Sequence, residues 1–299
     1  MTSYLNTTGK TAERFFSAPC VRRVMHDADR PDAIDGCRVY DPDAGHAFPQ
    51  ERLDATLEAV ADDDEIAAYL EAQNVNPVSR KGYNDHGPKH VEIVRNRALC
   101  LYELLKEGGV VFNGASQQGL DEADEPVIVA LAATLHDIGH VVHRDDHTYY
   151  SIPLAADILD GILPTLGFYD VAETVRLKGE VLHAILCHHT PEKPLTHEAG
   201  VVRVADALDM ERGRSRIPYE KGGRGINTIS SQAIRNVTLQ SGDTAPVLVE
   251  IEMVDAAGVF QVDELLKSKL RNSRIEDHVR IVAVNARSDD ENIVERIEM

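Results

Sequence analysis

The residues best able to do chemistry in this chain are imidazoles and carboxylates gathered in its middle: His86, His90, His136, Asp137, His140, His147, His183, His188, His189 and Asp206. Most of the 13 histidines of the sequence fall in this stretch. His136 and Asp137 close an apolar run that begins near Val127. On a helix two adjacent side chains diverge by about 100°, so the pair flanks a point in space instead of sharing a face. That placement suits a metal ion held by His136 and bridged by Asp137. His86 and His90 stand one helical turn apart and face the same way. A mixed imidazole and carboxylate shell fits Mn, Fe, Co, Ni or Mg better than a closed structural zinc site, and no cysteine joins the cluster.

The order His90 … His136-Asp137 … His188 … Asp206, with Ile138-Gly139 after the central pair and Val204-Ala205-Asp206-Ala207-Leu208-Asp209 at the end, resembles the HD superfamily of metal-dependent phosphohydrolases. The resemblance spans residues 83–210. It implies that His90, His136, Asp137 and Asp206 are metal ligands. It also makes His147 and His188 further ligands, enough for two divalent ions per chain, with a supporting or phosphate-contacting role as the alternative. His188 and His189 diverge by about 100°, so both serve only if they address different ions or one touches substrate. His140 stands where relatives often carry Lys, and a cation or proton donor there would steady a leaving phosphate. His86 occupies a position where the cyclic-dinucleotide branch can place a carboxylate in trimetal sites. His183 reads as packing.

The chemistry expected of such a centre is hydrolysis of a phosphomonoester, phosphodiester or phosphoanhydride. The ions would activate water held by Asp137, and nearby Arg or His would balance the developing phosphoryl charge. Asp137, His140 and Arg144 form the expected catalytic group. Guanidinium forks and ammonium groups match phosphate oxygens, which nominates Lys89, Arg212 and Arg214 for the substrate. Lys81 and Arg216 read as solvated surface charges. A nucleotide or other small phosphorylated metabolite is the expected substrate. Cyclic-dinucleotide cleavage is disfavoured because a Gly-Tyr-Pro element is missing after His189, where the chain runs Thr190-Pro191-Glu192-Lys193-Pro194. Two other readings stand beside this one: a di-iron oxygenase of the same superfamily, and a regulatory ligand-binding protein.

The elements that must position these residues follow from periodicity. Residues 1–50 are rich in Pro, Gly and Asp and read as an irregular arm. Thr8-Gly9-Lys10-Thr11 is not a phosphate loop, since the earlier glycine is Tyr4 and no strand precedes it. Apolar residues at Leu53, Leu57, Val60, Ile66, Ala67 and Leu70 predict one or two amphipathic helices over 51–74, ended by Pro77. Asn84 or Asp85 would cap a helix over 84–107, stopped by Gly108-Gly109. Pro126 opens the helix carrying His136 and Asp137, and Gly139 ends it. Further helices are expected over 147–162, 171–189, with Val175 facing inward, and 198–210. After Gly225 the period changes to two over 237–240, 247–253 and 279–284, with a helix at 262–270. The expected fold is mostly α: a helical HD bundle at 51–225 followed by a small α+β appendage at 226–299.

Composition bounds the rest. The chain has 299 residues, 43% hydrophobic and 27% charged, as in water-soluble globular proteins. No apolar run approaches the ~20 residues that span a bilayer, and the N-terminus lacks a basic, then apolar, leader pattern. Four cysteines without paired spacing suit reduced thiols in a cytoplasm. Net charge is −19, and only 9 of 31 basic residues are Lys. That acid-rich, lysine-poor balance resembles proteins of halophilic microbes, archaea among them, and argues against duplex nucleic acid as a partner. The edge strands of the appendage would pack on the helices or pair across a homo-oligomer.

Overall fold

The computed structural model describes residues 46, 48–189, 191–211, 226–285 and 296–298. Nearly all of the 1–50 arm, Thr8-Gly9-Lys10-Thr11, and Arg212, Arg214 and Arg216 lie outside the described residues. The rest is mostly α with a small C-terminal sheet, as expected.

Two short helices, α1 (Glu51–Ala61) and α2 (Asp64–Ala72), bury Leu53, Val60, Ile66 and Leu70. Asp63 caps α2 by accepting from the amides of Glu65 and Ile66. The chain does not stop at Pro77, as expected, but makes one π-helical turn, Val75–Arg80, with Pro77 and Val78 buried. Helix α3 (Pro88–Glu107) starts later than expected. Pro88 sits in its first turn, where a missing N–H costs nothing, and Asp85 is instead bonded to the Asn74 amide at 2.5 Å.

A short α4 (Asn113–Gln118) precedes α5 (Glu125–Leu135), in which every residue is buried. This explains its sequence: an all-round apolar helix belongs at the centre of the bundle. It packs on α3, α7, α8 and α1. Helix α6 (His147–Leu166) packs on α7 (Val171–Cys187), whose start is a capping box between Asp170 and Glu173. Val175 is 64% exposed on α7, against expectation; Leu177, Val181 and Ile185 form the inward stripe. Thr196 caps α8 (His197–Leu208).

The C-terminal unit comprises α9 (Ile226–Gln232), β1 (Ile234–Ser241), β2 (Val247–Met253), a π-helical turn (Gln261–Leu266) running into α10 (Lys267–Leu270), β3 (Val279–Asn285) and β4 (Arg296–Glu298). The sheet order is β1-β2-β3-β4. β1 and β2 form an antiparallel hairpin, β3 lies parallel to β2, and β4 returns antiparallel. The parallel pair needs a crossover, supplied by the segment containing α10. β1 and β2 pack on α3, while α10 packs on α8, and one apolar core runs through both parts. A Cβ at Gly200 of α8 would lie 1.9 Å from the Ser273 carbonyl, so only glycine admits this approach.

Candidate metal centre

Helical hydrogen bonding in α5 ends at Leu135, so His136 and Asp137 sit just past its C-terminus and precede a 3-10 turn, Ile138–Val141. Ser151 of α6 clamps this corner. Its hydroxyl donates to the His136 carbonyl at 2.8 Å and accepts from the Gly139 amide at 2.8 Å. Gly139 is not the helix stop that its spacing suggested. A Cβ there would meet the His147 carbonyl at 2.0 Å and the Ser151 amide at 2.5 Å. Glycine is required because the start of α6 presses on the turn, and that pressure brings His147 to Asp137.

The imidazoles are oriented from behind. His136 Nδ1 donates to the Ala133 carbonyl at 2.8 Å, and His188 Nδ1 to the Ile185 carbonyl at 2.7 Å. His90 Nδ1 lies 2.6 Å from Asp209 Oδ2. His147 Nδ1 is 3.1 Å from the Arg144 carbonyl, with the Arg144 guanidinium slightly farther at 3.3 Å. Carbonyls and carboxylates only accept, so the proton sits on Nδ1 and the Nε2 lone pair points inward. His90 and His136 then oppose two Nε2 lone pairs at 3.3 Å, and His147 and His188 do so at 3.2 Å. Such pairs repel unless a cation lies beside them.

Asp137 serves both pairs. Its Oδ2 is 3.4 Å from the Nε2 atoms of His90 and His136. Its Oδ1 is 3.4, 3.3 and 3.5 Å from those of His140, His147 and His188. Asp206 Oδ1 completes the first group at 3.4 Å from His90 and 3.9 Å from His136. Ligands about 2.1 Å from a common ion lie about 3.0–3.4 Å apart, so these edges suit metal coordination. His140 makes the same point independently. It is fully buried, stacks on His147 at 4.1 Å, and neither ring nitrogen has a hydrogen-bond partner among the described residues. Buried polar atoms left so cost stability, and an ion on the Asp137 side would satisfy the Nε2 lone pair.

Electrostatics keep the donors in ligand form. Burial alone would raise the Asp137 carboxyl, but His136, His140 and His86 around it hold it well below the usual carboxylate range. Burial, with neighbouring imidazoles, pushes His188 well below the usual histidine value. Burial likewise pushes His140 down to about 4. His140 is thus neutral at pH 7 and buried, a form that offers a ring-nitrogen lone pair to an ion and keeps one N–H to donate, and it is not an exposed loop histidine.

Of the expected site residues, the fold brings together His90, His136, Asp137, His140, His147, His188 and Asp206. His86 joins them, with Nδ1 2.7 Å from Asp137 Oδ2. That edge is a hydrogen bond's length, so His86 braces the carboxylate. His189 is set apart: its ring is 5.6 Å from that of His147, at the rim, because α7 ends at Cys187 and the two following side chains diverge. It lines a cavity of about 280 Å³ with Tyr83, Arg144, His147 and Tyr149. Arg144 lies 5.3 Å from the Tyr83 ring centre. Lys89 is not brought to the cluster; it is exposed and pairs with Glu92 at 3.2 Å, one turn along α3. His183 also lies elsewhere, accepting from the Leu195 amide at 3.0 Å. Sequence reasoning gave no role to Asp209 or Lys269, which pair with His90 and Asp206. The i, i+3 spacing of Asp206 and Asp209 was the available signal for the first; nothing local marks the second.

The HD domain family model matches residues 110–211, a stretch containing the central pair and Asp206. The uncharacterized protein MJ1020 of Methanocaldococcus jannaschii is 38% identical over 218 residues, covering 73% of this chain and 83% of that protein. This chain belongs to the HD-domain family. Two proteins named ribonuclease Y are more distant relatives. That of Desulforudis audaxviator is 29% identical over 157 residues, and that of Roseiflexus 26% over 153. The matched segments cover 50% and 49% of this chain but only 28% and 26% of the ribonucleases. HD domains form a superfamily of metal-dependent phosphohydrolases, and the buried His/Asp cluster fits a metal site. No helix among the described residues is long and apolar enough to cross a membrane.

Proposed function

We propose that this HD protein hydrolyses a phosphate ester or anhydride at a centre of two divalent ions, acting on a nucleotide or similarly small phosphorylated compound. The observation that carries the reading is Asp137, whose two oxygens each face a separate pair of imidazoles. His90, His136, Asp206 and Asp137 Oδ2 would hold one ion, and His140, His147, His188 and Asp137 Oδ1 the other. Ions so held supply an acidified water and positive charge for the phosphoryl oxygens.

The chain's own residues do the rest. His86 donates to Asp137 and keeps its carboxylate across the two groups. Asp209 fixes the His90 ring and raises its basicity as a ligand. Arg144 stands at the mouth, beside His147, where its guanidinium can take a phosphoryl oxygen. Tyr83 and Tyr149 give the same cavity aromatic walls, which suits a planar base.

The test is metal analysis after anaerobic purification, followed by phosphate release from a nucleotide and phosphate-ester panel with added Mn²⁺. A short RNA oligomer belongs in the panel, since two relatives are named ribonucleases. Metal-dependent phosphate release that vanishes in Asp137→Ala is expected. Two tightly held irons, with oxygen consumption and no phosphate release, would replace this reading with oxidative chemistry.

A further inference from the structure

The C-terminal unit reaches into the metal centre. The Lys269 ammonium of α10 forms an ion pair with Asp206 Oδ2, while Oδ1 of the same carboxylate faces His90 and His136. Its backbone is anchored as well. The Lys269 carbonyl accepts from Arg203 Nε at 3.2 Å. The other arm of that buried guanidinium holds the Cys187 and Glu192 carbonyls at 2.9 and 2.7 Å. Four residues after Lys269, Ser273 packs on Gly200 with no space for a side chain. The lysine is therefore delivered by backbone docking on α8, the helix that ends near Asp206.

Two further observations point to an anion as its partner. The first is access. The side chains of His90 and His136 are fully buried and that of Asp137 nearly so, whereas those of Asp206 and Lys269 are 9% and 15% exposed. Among the ligands of the His90–His136 group, solvent thus reaches Asp206, beside Lys269. The second is charge. Residues 267–274 read Lys-Ser-Lys-Leu-Arg-Asn-Ser-Arg, four cations and no acid, in a chain of net charge −19. Lys267 is committed to Asp263 at 2.7 Å. Lys269 turns to the centre.

We propose that Lys269 is a substrate-phosphate-binding residue, brought to the metal centre by the C-terminal unit. The inference rests on the metal-dependent reading above. With Asp206 committed to an ion, the Lys269 ammonium can share its hydrogens with a phosphoryl oxygen, a charge-assisted bond in a mostly water-free site. It would meet the phosphate from the Asp206 side, opposite Arg144 beside His147. The C-terminal unit is then part of the active site rather than a detachable sensor.

The experiment uses the full chain loaded with Mn²⁺: wild type, Lys269→Met, Lys269→Arg, and Lys178→Met as a charge-matched control. Lys178 pairs with Asp160 between α6 and α7. Equilibrium dialysis measures Mn²⁺ stoichiometry, and calorimetric titration with inorganic phosphate measures anion affinity. Lys269→Met should keep its Mn²⁺ and bind phosphate about 10- to 100-fold more weakly. Lys269→Arg should stay within about fivefold of wild type, and Lys178→Met should be unchanged. Wild-type phosphate affinity in Lys269→Met overturns the proposal. So does loss of Mn²⁺ from that variant, which would make Lys269 a positioning residue for Asp206. Wild type that binds no Mn²⁺ would instead refute the metal reading itself.

Discussion

Glu198 offers a quantitative test of the packing that holds α8, and with it Asp206, in place. It is the second residue of α8, fully buried, with Oε1 accepting from the Gly114 amide at 2.7 Å and Oε2 unpartnered among the described residues. Burial outweighs the bonds from backbone amides, and the nearby Glu125 carboxyl adds to it, so the Glu198 carboxyl is pushed up to about 7 from an ordinary 4.5. The unfolded chain loses this proton near pH 4.5, while the native chain keeps it to about pH 7. Between those values the native state binds more protons, so its stability falls as pH rises. The whole displacement corresponds to about 3 kcal/mol, of which about 2 kcal/mol falls between pH 5.5 and 8.5. Glu198→Gln keeps the Oε1 acceptor and removes the titration. Relative to wild type, the variant should therefore gain about 2 kcal/mol across that range, or roughly 3–4 °C in Tm. Urea unfolding at several pH values, with chelator present throughout, measures this. The constant offset of the amide cancels because only the pH-dependent part is compared. Parallel stability curves for the two proteins, within about 0.5 kcal/mol, would refute the argument.

Asp209→Asn removes the charged acceptor behind His90 and should weaken metal binding about 10- to 100-fold in a chelator competition assay, with the fold intact by circular dichroism. Gly139→Ala sets a methyl against the His147 carbonyl and should cost about 3 kcal/mol or more in chemical denaturation, with reduced metal content in any folded fraction. Arg203→Met strips the Lys269, Cys187 and Glu192 carbonyls of a shared donor and should destabilise by about 3 kcal/mol; hydrogen exchange should rise first around α10 and the end of α7.

The helical fold was legible because its cues are local. The apolar run of α5, the proline in the first turn of α5, the stripe of α3 and the change to period two after residue 225 each act within a few residues. Where local cues misled, a long-range contact had overruled them. Val175 fits an inward stripe on spacing, yet α7 turns Leu177, Val181 and Ile185 to the core. Pro77 should end its segment, but its burial in a π-helical turn carries the chain on to Arg80.

The sequence by itself determined the types and order of the donors: imidazoles and carboxylates spaced on helices, His-Asp at the end of a buried one, and an aspartate closing α8. That much is chemical identity and helical periodicity, and it suffices for a metal site; the HD family came from the resemblance of the motif order, which the family match bears out. Only the tertiary structure decided which atoms meet. It split the oxygens of Asp137 between two histidine pairs, buried His140, set His189 at the rim and left His183 and Lys89 outside. It also brought Asp209 behind His90 across 119 residues and Lys269 to Asp206 across 63. Such meetings depend on how α3, α5, α6, α7, α8 and the C-terminal unit pack together. No residue-to-residue spacing along the chain encodes the distance between side chains on different elements.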